Sequence, residues 1–372
     1  MEPEPIHVTR TSLPVLEDYV DHLKDIWESE RLTNHGGKVQ ELEASLAAAT
    51  GVKHALCVAN GTIALQLAVR ALHLEKTEIV ASPFSYIASV SSLLWEDCQV
   101  TFADILPGDL TIDPMALSKS ITDKTRAIIP THVYGFPCEV DAIGELAESR
   151  NLRVIYDASH CWGVRFKDKS IFQYGDIATL SLHATKPLQS GEGGVIFTDD
   201  DEAADRIKWL RNFGHTAPDS EICGLGINGK LSELHAALGL CSLKMSGDLL
   251  QRRKDVAAAY DDAFSGNAGV IRPKPQEGTE RNFAYYSVLL ESGGKVEEVV
   301  AGLKRKNIFP RRYFRPGLNR LGFREIQPMP VSEDTVERVL CLPLSAEMKP
   351  ETASGIAAEL LGILEGKSGS ST

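Results

Sequence analysis

From Leu16 through Tyr19, Val20, Leu23, Ile26 and Trp27, apolar side chains recur at intervals of three and four, which places them on one face of a helix. A second helix of this kind is expected around Val39, Leu42 and Leu46. Beyond it, short β-rich runs alternate with helical stretches: Ala55–Val58, Glu78–Ala81, Val100–Phe102, Ala127–Ile129, Arg153–Tyr156, Ala178–Leu182 and Val195–Thr198. The alternation predicts an α/β fold with a mainly parallel central sheet. In such sheets ligands gather at the carboxyl edge, where strands end and loops begin.

Past Leu240 the rhythm changes. A long helical run from Leu249 to Phe264 leads into the Pro/Gly-bearing stretch Gly269 to Gly278, and we expect a division near here into a large domain, 1–247, and a smaller C-terminal α/β domain, 248–372. The second part predicts a strand (Phe283 to Leu290), a helix (Val296 to Leu303), an Arg/Tyr-rich loop (Pro310 to Pro316), a strand (Val339 to Leu342) and a final helix. The Gly/Ser-rich tail from Gly366 to Thr372 is expected to be disordered. No internal repeat is present, so a solenoid or propeller is not supported.

Composition narrows the function classes. The 372 residues are 43% hydrophobic, enough for a sizeable core, and carry a net charge of −12 spread along the chain. That balance lacks the basic stripe a nucleic-acid partner needs, though a small anion can still be held by backbone amides and local arginines. No stretch reads as a signal peptide or a membrane span. The seven cysteines are scattered, with no Cys-x-x-Cys pair, so we expect reduced thiols in a cytoplasmic protein and no metal site.

Three stretches carry candidate chemistry. Asn60-Gly61-Thr62 follows a strand and opens a helix, an arrangement that offers amide donors and a positive dipole end to a phosphate; an ordinary βα turn capped by Thr62 is the other reading. Asp157 ends an apolar strand and is followed by Ser159 and His160. A carboxylate there could hold the protonated ring nitrogen of a pyridoxal cofactor, or merely cap the next turn. Ser181-Leu-His-Ala-Thr-Lys186 and the turn Gly191-Glu-Gly-Gly194 put one lysine after a strand end. Lysine can form an imine with an aldehyde cofactor, and a solvated loop lysine is the alternative. What favours chemistry is the ordered set: phosphate seat, carboxylate and lysine, all at predicted strand ends of one sheet.

Further stretches fill out a family pattern: Gly51-Val-Lys-His-Ala55 with Asn60-Gly-Thr-Ile-Ala-Leu65, Pro83-Phe-Ser-Tyr-Ile-Ala88, Ile128-Ile-Pro-Thr-His-Val-Tyr-Gly135, and Gly224-Leu-Gly-Ile-Asn228 running on to Gly239. Over nearly its whole length the chain resembles the DegT/DnrJ-type sugar aminotransferases, pyridoxal-phosphate enzymes of the aspartate-aminotransferase fold (fold type I). The resemblance implies Lys186 as the Schiff-base lysine and proton shuttle, and Asp157 as the partner of the pyridine nitrogen. It implies Gly61, Thr62 and Ser181 on the cofactor phosphate, Tyr86 stacked on one ring face, Ser159 near the other and His160 beside the ring hydroxyl. Asn228 would reach the phosphate of a neighbouring subunit, giving a homodimer with shared sites. Without the resemblance, Tyr86 reads as a half-buried helix residue, Asn228 as a turn residue and His183 as structural.

The same resemblance implies glutamate as amino donor, pyridoxamine phosphate as the intermediate cofactor form, and a nucleotide-linked keto sugar as acceptor. Thr33-Asn34 and Arg311-Arg312-Tyr313-Phe314-Arg315-Pro316 are expected at the edges of the sugar-nucleotide site, with Asn34, Arg312 and Tyr313 as its binding residues, since arginine suits a pyrophosphate. These edges look most like enzymes that aminate C4 of dTDP-4-keto-6-deoxyglucose. The alternatives are a 3-keto or other nucleotide-sugar aminotransferase, a sugar dehydratase, whose known examples carry histidine where this chain has Lys186, and a regulatory protein that binds the cofactor without turnover.

Overall fold

The computed structural model describes residues 4–216, 221–322 and 325–366. Its centre is a seven-stranded sheet of β1 (His54–Val58), β2 (Glu78–Ala81), β3 (Gln99–Phe102), β4 (Thr125–Ile129), β5 (Arg153–Asp157), β6 (Ile177–Ser181) and β7 (Gly194–Thr198), in the spatial order β1-β7-β6-β5-β4-β2-β3. Only β7 runs antiparallel to its neighbours. Helices cover both faces, so the inner strands bury both sets of alternating side chains, while the edge strand β3 buries only Val100 and Phe102. In β1, Ala55 and Cys57 enter one core while Leu56 and Val58 enter the other; in β7, Val195 and Phe197 oppose Ile196 in the same way.

The first core is closed by α2 (Gly37–Thr50), α6 (Val140–Arg150) and the start of α8 (Glu233–Ala263). The second is closed by α3 (Gly61–Ala71), α4 (Ala88–Trp95) and α7 (Asp201–Leu210). Ahead of these lies α1 (Leu16–Ser29), which packs on α8, and α5 (Pro114–Ser120) follows β3. The last half of α8 joins β8 (Tyr286–Leu290), α9 (Val296–Arg305), β9 (Val339–Leu342) and α11 (Pro350–Leu364) in a third core. Here β8 pairs antiparallel with β9, and α10 (Pro330–Arg338) leads directly into β9. The expected division at 247/248 falls inside α8.

Two elements differ from expectation. The helix expected from Leu249 begins sixteen residues earlier, at Glu233. Its first turns bury Glu233 and Ser242 along with Ala236, Ala237 and Leu240, which blurs the polar face that periodicity reads, and they contain Gly239, where a Cβ would lie 2.9 Å from Leu42 and hold α2 away. The strand expected from Phe283 begins at Tyr286. Phe283 is left-handed, with φ 50°, and Asn282 is tied by its side chain to the carbonyls of His160 and Trp162, so this stretch is a connection. Apart from Gly366, the expected disordered tail lies outside the described residues. Among the described residues no helix is long and apolar enough to cross a membrane.

Candidate active site

The six strands other than β7 end on one edge of the sheet, and β7, being reversed, starts there. A cavity of about 390 Å³ opens along that edge, lined among others by Gly61, Thr62, Tyr86, Asp157, Ser159, His160, Ser181 and Lys186. The sheet topology thus joins residues that stand more than a hundred positions apart.

One wall is the start of α3. Asn60 caps the helix by accepting the Ile63 amide at 2.9 Å. The cap is Asn60, where the sequence suggested Thr62. It leaves the amides of Gly61 and Thr62, which precede any helical carbonyl partner, to an acceptor in the cavity. Gly194 makes room for this turn: a Cβ there would sit 2.5 Å from the Asn60 carbonyl oxygen. The Ser181 hydroxyl borders the same corner.

Asp157 forms the floor and is 4% exposed. Its Oδ1 accepts the Ser159 amide at 3.1 Å, so it does brace the following turn, and its Oδ2 accepts the Ser89 hydroxyl at 2.5 Å. Beside it, His160 Nδ1 accepts the Tyr134 amide at 3.1 Å, which leaves Nε2 to carry the ring proton. Burial first, then the charge of Lys186, push the His160 pKa well below its ordinary value. The imidazole lies parallel to the Phe314 ring at 5.8 Å.

Lys186 stands in the loop between β6 and β7, whose ends are tied by Leu182 to Gly193 and by Ala184 to Gly191. Its Nζ lies 5.9 Å from the centre of the Tyr285 ring. Burial lowers its pKa to about 8, while the Asp157 carboxylate pulls the other way. Tyr86 precedes α4, lines the cavity and is 57% exposed, so the half-buried helix position is not what is found. His183 also lines the mouth, its Nδ1 2.9 Å from the Thr185 hydroxyl.

Three expected residues lie off this cavity. Arg312 turns to Glu297, at 2.6 Å, and to the carbonyls of Val336 and Glu337. Its neighbour Arg311 lines the cavity instead, with its guanidinium over Tyr313 and bonded to that hydroxyl. The reason is local: Arg311 bridges Cys341 through both backbone groups, and successive side chains of extended backbone face opposite ways. Asn34 is exposed and left-handed. Asn228 is exposed and accepts the Lys230 amine at 2.7 Å. Phe314, from the stretch expected at the substrate edge, does line the cavity, whereas sequence reasoning missed Ser85, Ser89 and Tyr285. The first two carried a signal, hydroxyls four apart at a helix start. Among the described residues no cluster of His, Cys, Asp or Glu could hold a metal ion.

Comparison with known proteins agrees over most of the chain. The sequence pattern of the DegT/DnrJ/EryC1/StrS aminotransferase family matches residues 15–361. The chain is 37% identical to dTDP-4-amino-4,6-dideoxy-D-glucose transaminase of Shigella dysenteriae, covering 96% of this chain and 98% of that one. To the Escherichia coli protein of the same name it is 33% identical, covering 97% and 100%. It is also similar to the crystal structure of DesI in the presence of its TDP-sugar product, with a TM-score of 0.92 at 30% identity, over 98% of this chain and 94% of that one.

Proposed function

The chain belongs to the DegT/DnrJ/EryC1/StrS aminotransferase family, with its aspartate-aminotransferase type of α/β fold, and from that premise we propose that it moves an amino group from glutamate to C4 of dTDP-4-keto-6-deoxyglucose, giving dTDP-4-amino-4,6-dideoxyglucose. The relatives' names support the sugar. The observation that carries the chemistry is the meeting of Lys186, Asp157 and the start of α3 in one cavity.

The donor set fits pyridoxal phosphate. The Gly61 and Thr62 amides and the Ser181 hydroxyl would hold its phosphate, and the buried Asp157 would take the ring nitrogen. Tyr86 and Ser159 would flank the ring, with the His160 Nε2 proton directed to its hydroxyl. When bound, that cofactor supplies an electron sink for the bonds to be broken. Lys186 Nζ, partly neutral near physiological pH, removes a proton from the donor's α-carbon and, in the reverse half-reaction, delivers one to the sugar carbon. Arg311 and Tyr313 line the mouth where a nucleotide-linked substrate would enter. Arg312 and Asn34 have no part in this reading, and Asn228 serves the site of a second copy. Seven free cysteines fit a cytoplasmic setting.

Incubation with pyridoxal phosphate, glutamate and a panel of keto sugar nucleotides is expected to yield a C4-aminated product, identified by mass and NMR. Lys186→Ala is expected to slow turnover by about a thousandfold. Full turnover in that variant would end the proposal.

A further inference from the structure

Behind Asp157 stand two hydroxyls that the reading above does not use. Ser85, three residues before α4, and Ser89, in its first turn, are 2% and 1% exposed. Their oxygens are 2.7 Å apart, and Ser89 Oγ is 2.5 Å from Asp157 Oδ2. A carboxylate only accepts, so Ser89 donates to it and the Ser89 oxygen is left to accept from Ser85. Ser85 itself lines the cavity. The two hydroxyls therefore form a directed chain from the cavity wall to the carboxylate, while the Ser159 amide holds the other carboxylate oxygen at 3.1 Å.

We propose that Ser89, backed by Ser85, is a positioning residue for amino transfer, fixing the plane of the Asp157 carboxylate so that an oxygen faces a cofactor ring nitrogen. A hydrogen bond to a charged acceptor is about twice as strong as a neutral one, and chains of hydroxyls polarise one another. Held at both oxygens, the carboxylate keeps its orientation while the substrate half of the cavity changes. Ser89 sits beside the buried apolar residues Val90 and Leu93 of α4, where alanine would satisfy packing alone. The inference rests on Asp157 taking the ring nitrogen, as proposed above.

The test compares Ser89→Ala, Ser89→Thr and Ser85→Ala, each loaded with pyridoxal phosphate labelled with 15N in the ring. In Ser89→Ala the nitrogen signal is expected to move toward its unprotonated position, and kcat to fall about tenfold with the KM for glutamate nearly unchanged. Ser89→Thr, which keeps the hydroxyl, should restore both, and Ser85→Ala should show a smaller change in the same direction. A wild-type nitrogen signal in Ser89→Ala, or a loss that Ser89→Thr does not recover, overturns the inference. Borohydride reduction and peptide mapping of the wild type separate the two levels. A pyridoxyl group on Lys186 with no effect of Ser89 sinks this inference alone, whereas its absence from Lys186 sinks the functional reading and this inference with it.

Discussion

Lys186 occupies a place where its positive charge is costly. Burial lowers its pKa from 10.5 to about 8 even with the Asp157 carboxylate acting in its favour. Between those two values the unfolded chain keeps a proton that the folded chain has shed, so stability rises with pH across that window; below pH 8 the penalty is present in full. Lys186→Met is therefore expected to stabilise the cofactor-free protein by about 1–3 kcal/mol at pH 7, with the gain fading as pH approaches 10.5. Denaturant unfolding of the two proteins at pH 7 and pH 10 measures this, and an equal difference at both would rule it out. The same depressed pKa is what makes the amine useful, a trade of stability for activity. At this scale the positions of Lys186 and Asp157 were legible because Asp157 ends an apolar strand and Lys186 follows one, and a strand end is written in the local sequence. Arg311 was not separable from Arg312, because which of two adjacent arginines faces inward depends on a backbone bridge to Cys341, thirty residues on.

The elements matter chiefly through the edge at which they meet. The strands of the central sheet were readable to within a residue or two because β1 to β7 are short apolar runs set off by polar turns, and β2 and β9 begin and end where expected. The first half of α8 was not, since burial around Ala236, Ala237 and Leu240 removes the contrast on which periodicity depends. Where β7 meets the start of α3, the tolerance is small. A Cβ on Gly194 would lie 2.5 Å from the Asn60 oxygen and 2.9 Å from the Gly61 nitrogen, both backbone atoms that can yield only by moving the strand or the helix. Gly194→Ala should thus cost about 1–3 kcal/mol and loosen the proposed phosphate seat, raising the Kd for pyridoxal phosphate about tenfold. Gly247→Ala is the matched control. It lies within α8 with open space around it, so the change should stabilise by up to about 1 kcal/mol and leave cofactor binding alone. Thermal unfolding and an absorbance titration distinguish the two, and cofactor affinity unchanged in Gly194→Ala would show that the turn has slack.

For the molecule as a whole, large apolar side chains stand in water at several places, two of which bear on assembly. Leu16 and Trp27 of α1 are each 66% exposed; between α7 and α8, Ile222 is 66% and Leu225 75% exposed. Surface of this kind is commonly covered by a partner, and Asn228, which the cavity of its own chain does not include, belongs to the second segment. The homodimer with shared sites proposed from the family resemblance would cover the apolar residues and give Asn228 a place. Its consequence is arithmetical. In a mixed dimer of Lys186→Ala and Asn228→Ala chains, one site collects both lesions and the other has neither. Random exchange in an equal mixture makes about half of the dimers mixed, so turnover should recover to about a quarter of the wild-type rate from two weakly active parents. If each site were built from one chain, every site would carry one lesion and mixing would leave turnover at the average of the parents. Measuring activity after subunit exchange, with exchange itself verified by native mass spectrometry, decides between these outcomes.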